Sequence, residues 1–302
     1  MTSPETVVDV EGRQLKLTNL DKVLYPQHGF AKGEVIDYYA RIADGLLPHL
    51  AGRPLTIKRY PNGVEEKFFF EKNAARGTPS WVRTVRLPTP GSTKNRETID
   101  YLVVRERADL VRLANLAALE LHVPQWRVSS SDEPIPPDLL VFDLDPGGPA
   151  TIEQCCEVAL LLRSAVEDDG LTLFPKTSGS KGMQVYAPIT CPSFEAPSAY
   201  AKALAQRLER EHPELIVSKM AKTLRPGKVL IDWSQNNPAK TTVAPYSLRA
   251  RTEPTVSTPL TWDEVEGGGA LKFTAAEVLK RVEKHGDLWA GLLDDSSRAP
   301  LP

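Results

Sequence analysis

The segment 139-LLVFDLDPG-147 constrains the fold more than any other in this 302-residue chain. Leu139 to Phe142 is apolar without a break, which predicts an interior strand buried on both faces. Asp143 and Asp145 follow at a spacing of two, so a strand points both to one face. Pro146 and Gly147 then end it. Two carboxylates aimed together repel unless a cation or a base lies between them. Oxygen-only donors select a hard ion, Mg²⁺ or Mn²⁺. Taken alone, the pair reads equally well as a solvated strand end.

A second apolar run, 228-KVLIDWSQN-236, delivers Asp232 into a polar setting. Alone it reads as structural; with the first pair it becomes a candidate third carboxylate. Three carboxylates holding two metal ions suit in-line nucleotidyl transfer. The segment 176-KTSGSKGMQVY-186 lies between two strand-like runs. Gly179 and Gly182 permit positive φ, so backbone N–H groups can turn in on an anion, with Ser178, Ser180 and Lys181 adding hydroxyls and charge. The spacing is not that of a Walker A loop, and a flexible hairpin is the plainer reading. In 58-KRYPNGVEEKFFFEK-72, Lys58 and Arg59 precede a turn, and Phe68, Phe69 and Phe70 follow beside Lys67 and Lys72. Exposed rings next to cations make a stacking platform for bases; rings turned inward are core.

Composition narrows the class. The formal net charge is only −2, but charge is segregated. Residues 53–96 hold ten Lys/Arg against three Glu, and residues 218–251 hold seven against one Asp. Residues 132–169 hold ten Asp/Glu against Arg163 alone. Two basic segments brought together can meet a polyanion despite the near-neutral total. Three cysteines without a CxxC pair argue against a disulfide framework and against a zinc site, and the five histidines show no metal-ligand spacing. No apolar run is long enough for a membrane span and no signal-peptide pattern opens the chain, so a cytoplasmic protein is expected, with no membrane partner.

Strands are predicted over 55–60, 67–72, 98–104, 122–128, 138–145, 171–177, 183–189, 228–233 and 242–248. Helices are predicted over 33–47, 107–121, 151–168, 198–211 and 274–286, with capping boxes from Thr151 to Gln154 and from Thr274 to Glu277. Strands outnumber helices and do not alternate with them, which implies an α+β fold rather than a doubly wound sheet. One domain over 1–302 is expected, with an acidic helical piece from about 253 and a loose tail over 294–302.

The motifs KVLYP (22–26), KRYPNG (58–63), FFEK (69–72), HVPQW (122–126), FDLDP (142–146), TSGSKG (177–182), GKVLIDWSQN (227–236) and KTTVAPYSLR (240–249) occur in that order. Together they resemble the polymerase domain of bacterial end-joining DNA ligases, of the archaeo-eukaryotic primase superfamily. The resemblance implies a primase-like core of two mixed β-sheets flanked by helices. It assigns Asp143, Asp145 and Asp232 to the metals and places Ser178, Ser180, Lys181 and Gly182 in a triphosphate loop. It puts Lys58, His122, Gln235 and Arg249 against the incoming nucleotide, and Phe69 and Phe70 against template bases. Lys22 and Lys32 match lysines that hold a DNA 5′-phosphate, and the loop around 89–97 would meet a second DNA end. Where the family has His after the glycine loop, this chain has Gln184, which is expected to remove a charged phosphate contact and weaken nucleotide affinity.

The implied function is a metal-dependent (Mn²⁺ or Mg²⁺) DNA primase-polymerase of repair type. It adds NTPs or dNTPs to a primer 3′-OH at gaps or ends of double-stranded DNA. A DNA ligase and a Ku-like end-binding protein are the implied partners. The sequence carries no Lys-x-Asp-Gly adenylation motif, so a ligase segment is not expected within it. The rival reading is a DNA-end binding module with weak or lost polymerase activity.

Overall fold

Strand pairing in the computed structural model explains how distant segments converge; residues 5–88, 97–269 and 271–302 are described. The Leu139–Pro146 strand is the centre of the larger sheet. Its residues Leu140, Val141, Phe142 and Leu144 are fully buried, as a strand covered on both faces requires. The sheet order is Phe174–Thr177, Met183–Thr190, Leu139–Pro146, Val229–Asp232, Ile216–Val217, and Ala299–Pro300 also pairs with Met183–Thr190. Two of its pairings are parallel, Ile216–Val217 with Val229–Asp232 and Ala299–Pro300 with Met183–Thr190; the rest are antiparallel. Helices Ile152–Ala165 and Ala196–Glu211 pack on it through Cys155, Val158, Leu162, Ala201, Leu204 and Leu208.

The smaller sheet runs Thr242–Val243, Ala118–Val123, Thr56–Arg59, Phe69–Glu71 and is antiparallel throughout. Helices Lys32–Arg41, Ala43–Leu50, Arg107–Asn115 and Ala275–His285 share its core. The architecture is therefore the expected α+β one of two sheets with flanking helices, the larger sheet mixed and the smaller antiparallel.

Several local expectations change. The predicted 107–121 helix stops at Asn115, because Ala117 adopts φ +57° and the next six residues pair as a strand on both sides. The strand expected over 122–128 therefore begins at Ala118 and ends at Val123. The 33–47 helix is interrupted at Ile42, and the 242–248 strand is only Thr242–Val243 before a turn with Tyr246 at φ +63°. Residues 294–302 are not loose: Ala299–Pro300 joins the larger sheet and Leu301 is buried. An unanticipated hairpin, Glu5–Val10 with Arg13–Thr18, turns on Glu11 and Gly12, both at positive φ as a two-residue hairpin turn demands. Both capping boxes form, with Gln154 and Glu277 accepting from the amides of Thr151 and Thr274 at 2.8 Å each. No helix among the described residues is long and apolar enough to cross a membrane. The loop expected to meet a second DNA end lies, apart from residue 97, outside the described residues.

Candidate active site

Register assembles the carboxylates. Asp143 stands opposite Asp232 in one antiparallel ladder and opposite Gln184 in the other. Directly opposed residues share a face, and Asp145 shares it through the period of two. One carboxylate oxygen from each of Asp143, Asp145 and Asp232 lies within 4.8 Å of the others. Burial pushes the Asp143 carboxyl up from the ordinary range, and the charges of Asp145 and Asp232 add to that. Asp145 is raised too, by burial and then by Asp232, against the pull of Arg225 and Arg249.

Neighbouring side chains fix how each carboxylate points. Asp232 accepts from the Ser234 amide at 3.0 Å and from Gln235 Nε2 at 2.8 Å. Gln235, expected against the nucleotide, is thus engaged with a carboxylate. Gln184 Nε2 donates to Asp143 Oδ1 at 2.9 Å, and its Oε1 accepts from Lys176 Nζ at 2.6 Å. Both Gln184 and Lys176 are buried, and Lys176 also donates to Val243 O at 3.1 Å and Ser257 Oγ at 2.5 Å. Gln184 therefore does not stand in for a missing phosphate contact; it ties Asp143 to an interior lysine. That lysine carried no signal in the sequence beyond its place ahead of the glycine loop.

The TSGSKG segment connects Phe174–Thr177 to Met183–Thr190 as a hairpin loop. Its amides do not form the open anion nest expected of it. Gly179 N donates to Thr177 Oγ1, and the amides of Ser180 and Gly182 donate to Ser178 Oγ, each at 3.2 Å. Ser178 and Gly182 thus shape the loop, while Lys181 is exposed and Ser180 half-buried. Gly179 takes the expected positive φ, at +67°, but Gly182 does not; Gly182 lacks a side chain because a Cβ there would lie 2.1 Å from the Leu144 carbonyl oxygen on the carboxylate strand. That close approach holds the loop against the triad.

Arg249 joins the loop to the smaller sheet. Its Nη1 donates to Ser178 O at 2.5 Å, and its Nε lies 3.5 Å from Glu120 Oε1. Glu120, on Ala118–Val123, also takes His122 Nε2 at 2.9 Å and Lys58 Nζ at 3.5 Å, both on Oε2. Burial pushes the Glu120 carboxyl up, but His122, Arg249 and Lys58 together hold it well below the ordinary range. Burial lowers Lys58 and His122, against the pull of Glu120. Lys58 faces Glu120 on one side and Phe70 on the other, so the three form a row across the sheet. Its Nζ sits 4.4 Å from the Phe68 ring centre and 5.2 Å from that of Phe70. All three phenylalanines are exposed, at 46%, 58% and 60% in chain order, on an edge strand and the residue before it. Of the two rings expected to stack, Phe70 shares the Lys58 face and Phe69 takes the other, with Phe68 in its place. Glu120 was hidden in the predicted helix, although ALELHV already alternates and puts Glu120 and His122 on one side.

Lys22 and Lys32 lie close to each other, the Lys32 amide donating to the Lys22 carbonyl at 2.8 Å. Lys22 Nζ donates to Asn62 Oδ1 at 2.9 Å, on the turn after Tyr60. Lys32 opens the Lys32–Arg41 helix, is 5% exposed, and donates to Thr18 O at 2.5 Å. Burial, then the Lys22 charge, lowers its ammonium to about 8.

An α+β core of two sheets, with a carboxylate triad beside a lysine-bearing loop and a cationic row, defines a nucleotidyltransferase type of site. Comparison with known proteins specifies it. The family described as "LigD, primase-polymerase domain" matches residues 31–289, and this chain belongs to that family. It is 47% identical over 284 residues to the multifunctional non-homologous end joining protein LigD of Mycolicibacterium smegmatis, across 94% of this chain and 36% of that protein. The bifunctional LigD of Bacillus subtilis is 31% identical over 276 residues, covering 90% of this chain and 43% of that one. The chain thus spans little more than a third of its most similar relatives among these, at 36%. Among solved structures, the polymerase domain of Mycobacterium tuberculosis Ligase D in complex with DNA superposes with a TM-score of 0.88 at 45% identity, over 93% of this chain and 98% of that one.

Proposed function

We propose that the chain is a repair-type DNA primase-polymerase that extends a primer 3′-OH at gaps or broken ends. The observation that carries this is the register that sets Asp143 against Asp232 with Asp145 on the same face. The donor set is all carboxylate oxygen, and burial together with its self-repulsion raises Asp143 and Asp145, so it fits a hard divalent cation, Mn²⁺ or Mg²⁺. Asp143, Asp145 and Asp232 would hold the ions, which when bound activate the attacking hydroxyl and neutralise the departing pyrophosphate.

The chain's own residues supply the rest. The primer 3′-OH gives up its proton to solvent, and its oxygen bonds to the α-phosphorus of the NTP or dNTP as the bond to pyrophosphate breaks. Lys181 and Arg249 lie beside the triad and meet the triphosphate charge, Arg249 with a planar fork suited to phosphate oxygens. His122 and Lys58 face the sugar and phosphates from the smaller sheet. Phe68 and Phe70 offer the template bases a ring surface. The DNA ligase and Ku-like partners belong to this reading through the end-joining relatives, and a cytoplasmic, nucleoid-associated setting goes with it.

The test is extension of a labelled primer across a short gap with a 5′-phosphorylated downstream strand, Mn²⁺, and NTPs or dNTPs in parallel. Extension by the wild-type protein is expected. Intact DNA binding with no extension would support the silent end-binding module instead. A second expectation concerns Lys22 and Lys32. Because Lys32 titrates at about 8, preference for a 5′-phosphorylated over an unphosphorylated gap should be strong at lower pH and fade above it as the ammonium is lost. The phosphate is a dianion across about pH 7 to 9, so the lysine is what changes. A preference that stays level over that range, measured by gel shift, would rule Lys32 out as the phosphate partner.

A further inference from the structure

We infer that Glu120 is the positioning residue that assembles the nucleotide pocket; the inference rests on the function proposed above and deepens it. Glu120 is 1% exposed, so it does not meet substrate itself. Its two oxygens take donors from three separate parts of the chain, two of them the cations Lys58 and Arg249. Oε2 takes His122 from its own strand and Lys58 from Thr56–Arg59, and Oε1 takes Arg249 from beyond Thr242–Val243. Oε1 also accepts the Ala250 amide at 3.1 Å, which fixes the backbone that carries Arg249.

Lys58 and Arg249, crowded beside the His122 imidazole in a half-buried row, repel one another, and each loses hydration. One buried carboxylate behind them offsets both costs. The Arg249 Nε, buried 3.5 Å from Glu120 Oε1, makes no aligned hydrogen bond, so charge more than bond direction carries that contact. A triphosphate arriving from the solvent side meets donors that are already placed. Order of this kind raises affinity by lowering what binding must spend on arranging side chains. It acts on nucleotide binding and not on the carboxylate triad, where bond making occurs. Pairing of Lys58 with Glu120 on one side and Phe70 on the other extends the same control toward the base.

The test is Glu120→Gln, which keeps the shape and an acceptor for the Ala250 amide but removes the charge. Extension of a gapped primer with ATP and Mn²⁺ is measured alongside calorimetric titration of ATP and Mn²⁺ without DNA. KM and the ATP dissociation constant should rise together by at least about tenfold, with kcat changed less than about threefold. Thermal melting checks that the variant folds. A second variant keeps the outcome decisive if it does not: in Lys58→Met/Glu120→Gln one cation leaves with the anion, and the charge removal should raise KM over Lys58→Met by a smaller factor than it raises KM over wild type, because the Lys58 share of the effect is already gone. An unchanged or lowered KM in Glu120→Gln, or a fully additive double variant, overturns the assignment while the proposed function stands. Failure of the wild-type protein to bind ATP or extend the primer overturns both.

Discussion

Replacing Asp143 by Asn is expected to abolish nucleotide addition and, in the metal-free protein, to raise the melting temperature. The two effects share one cause. Asp143, Asp145 and Asp232 crowd three carboxylates into one cluster, and burial with mutual repulsion raises the Asp143 carboxyl. The Gln184 amide and the Lys176 charge pull the other way and lose. A carboxyl raised in the folded state favours folding below its ordinary value of 3.8, and that contribution is lost as pH climbs through the raised range. At neutral pH the ionised cluster therefore works against the fold. Asn removes the charge yet keeps an acceptor for the Gln184 amide. Relief of about 1–2 kcal/mol corresponds to a few degrees in a chain of this size.

Activity should fall by on the order of a thousandfold or more, because several kcal/mol of transition-state stabilisation leave with the metal ligand. Calorimetry with and without Mn²⁺ separates the causes. The wild-type melting temperature should rise with Mn²⁺, and the variant should respond less. A variant that melts lower than wild type and still responds fully to Mn²⁺ would make Asp143 a structural residue.

The carboxylate pair was legible because a strand's period of two is a local rule, and Asp143-Leu144-Asp145 obeys it within the strand Leu139–Pro146. The opposition of Asp143 to Asp232 was not legible as geometry, because register between strands so far apart depends on the whole sheet. Glu120 shows the converse. Arg107 to Leu121 carries apolar residues at helical spacing, and local propensity favours one long helix. Pairing with two strands wins from Ala118 on, once Ala117 turns the chain at positive φ. The glycine loop was placed correctly, but its amide partners are Thr177 and Ser178 hydroxyls, a choice that composition does not decide. The polar, proline-bearing 294–302 reads as a loose end because its anchors, a sheet edge and a buried carboxylate, lie elsewhere in the chain.

That buried carboxylate is Asp138, and Asp138→Asn is expected to cost about 3–5 kcal/mol of stability, on the order of 10 °C in melting temperature. Asp138 Oδ1 lies 2.7 Å from Arg53 Nη2, and Oδ2 lies 2.7 Å from Arg127 Nε and 3.6 Å from Arg298 Nη2. Neither Asp138 Oδ1 nor Arg127 Nε makes an aligned hydrogen bond, so charge more than bond direction carries these contacts. Arg53 is 1% exposed, and burial lowers its guanidinium against the pull of Asp138. Asn leaves that cation buried without a counter-charge, which is costlier than never having had the pair. The double variant Arg53→Met/Asp138→Leu should therefore recover most of the loss, since Arg127 and Arg298 are each 25% exposed and can turn to water. Asp138 stands just before the strand that carries Asp143 and Asp145, while Arg53 precedes Thr56–Arg59 and Arg298 precedes Ala299–Pro300. One carboxylate thus ties both sheets and the C-terminal strand. Well below its melting temperature, Asp138→Asn should keep a kcat near wild type and lose it only as the fold melts. A variant that melts with the wild type, or a double variant that melts below the single, would show that solvent already screens the cluster.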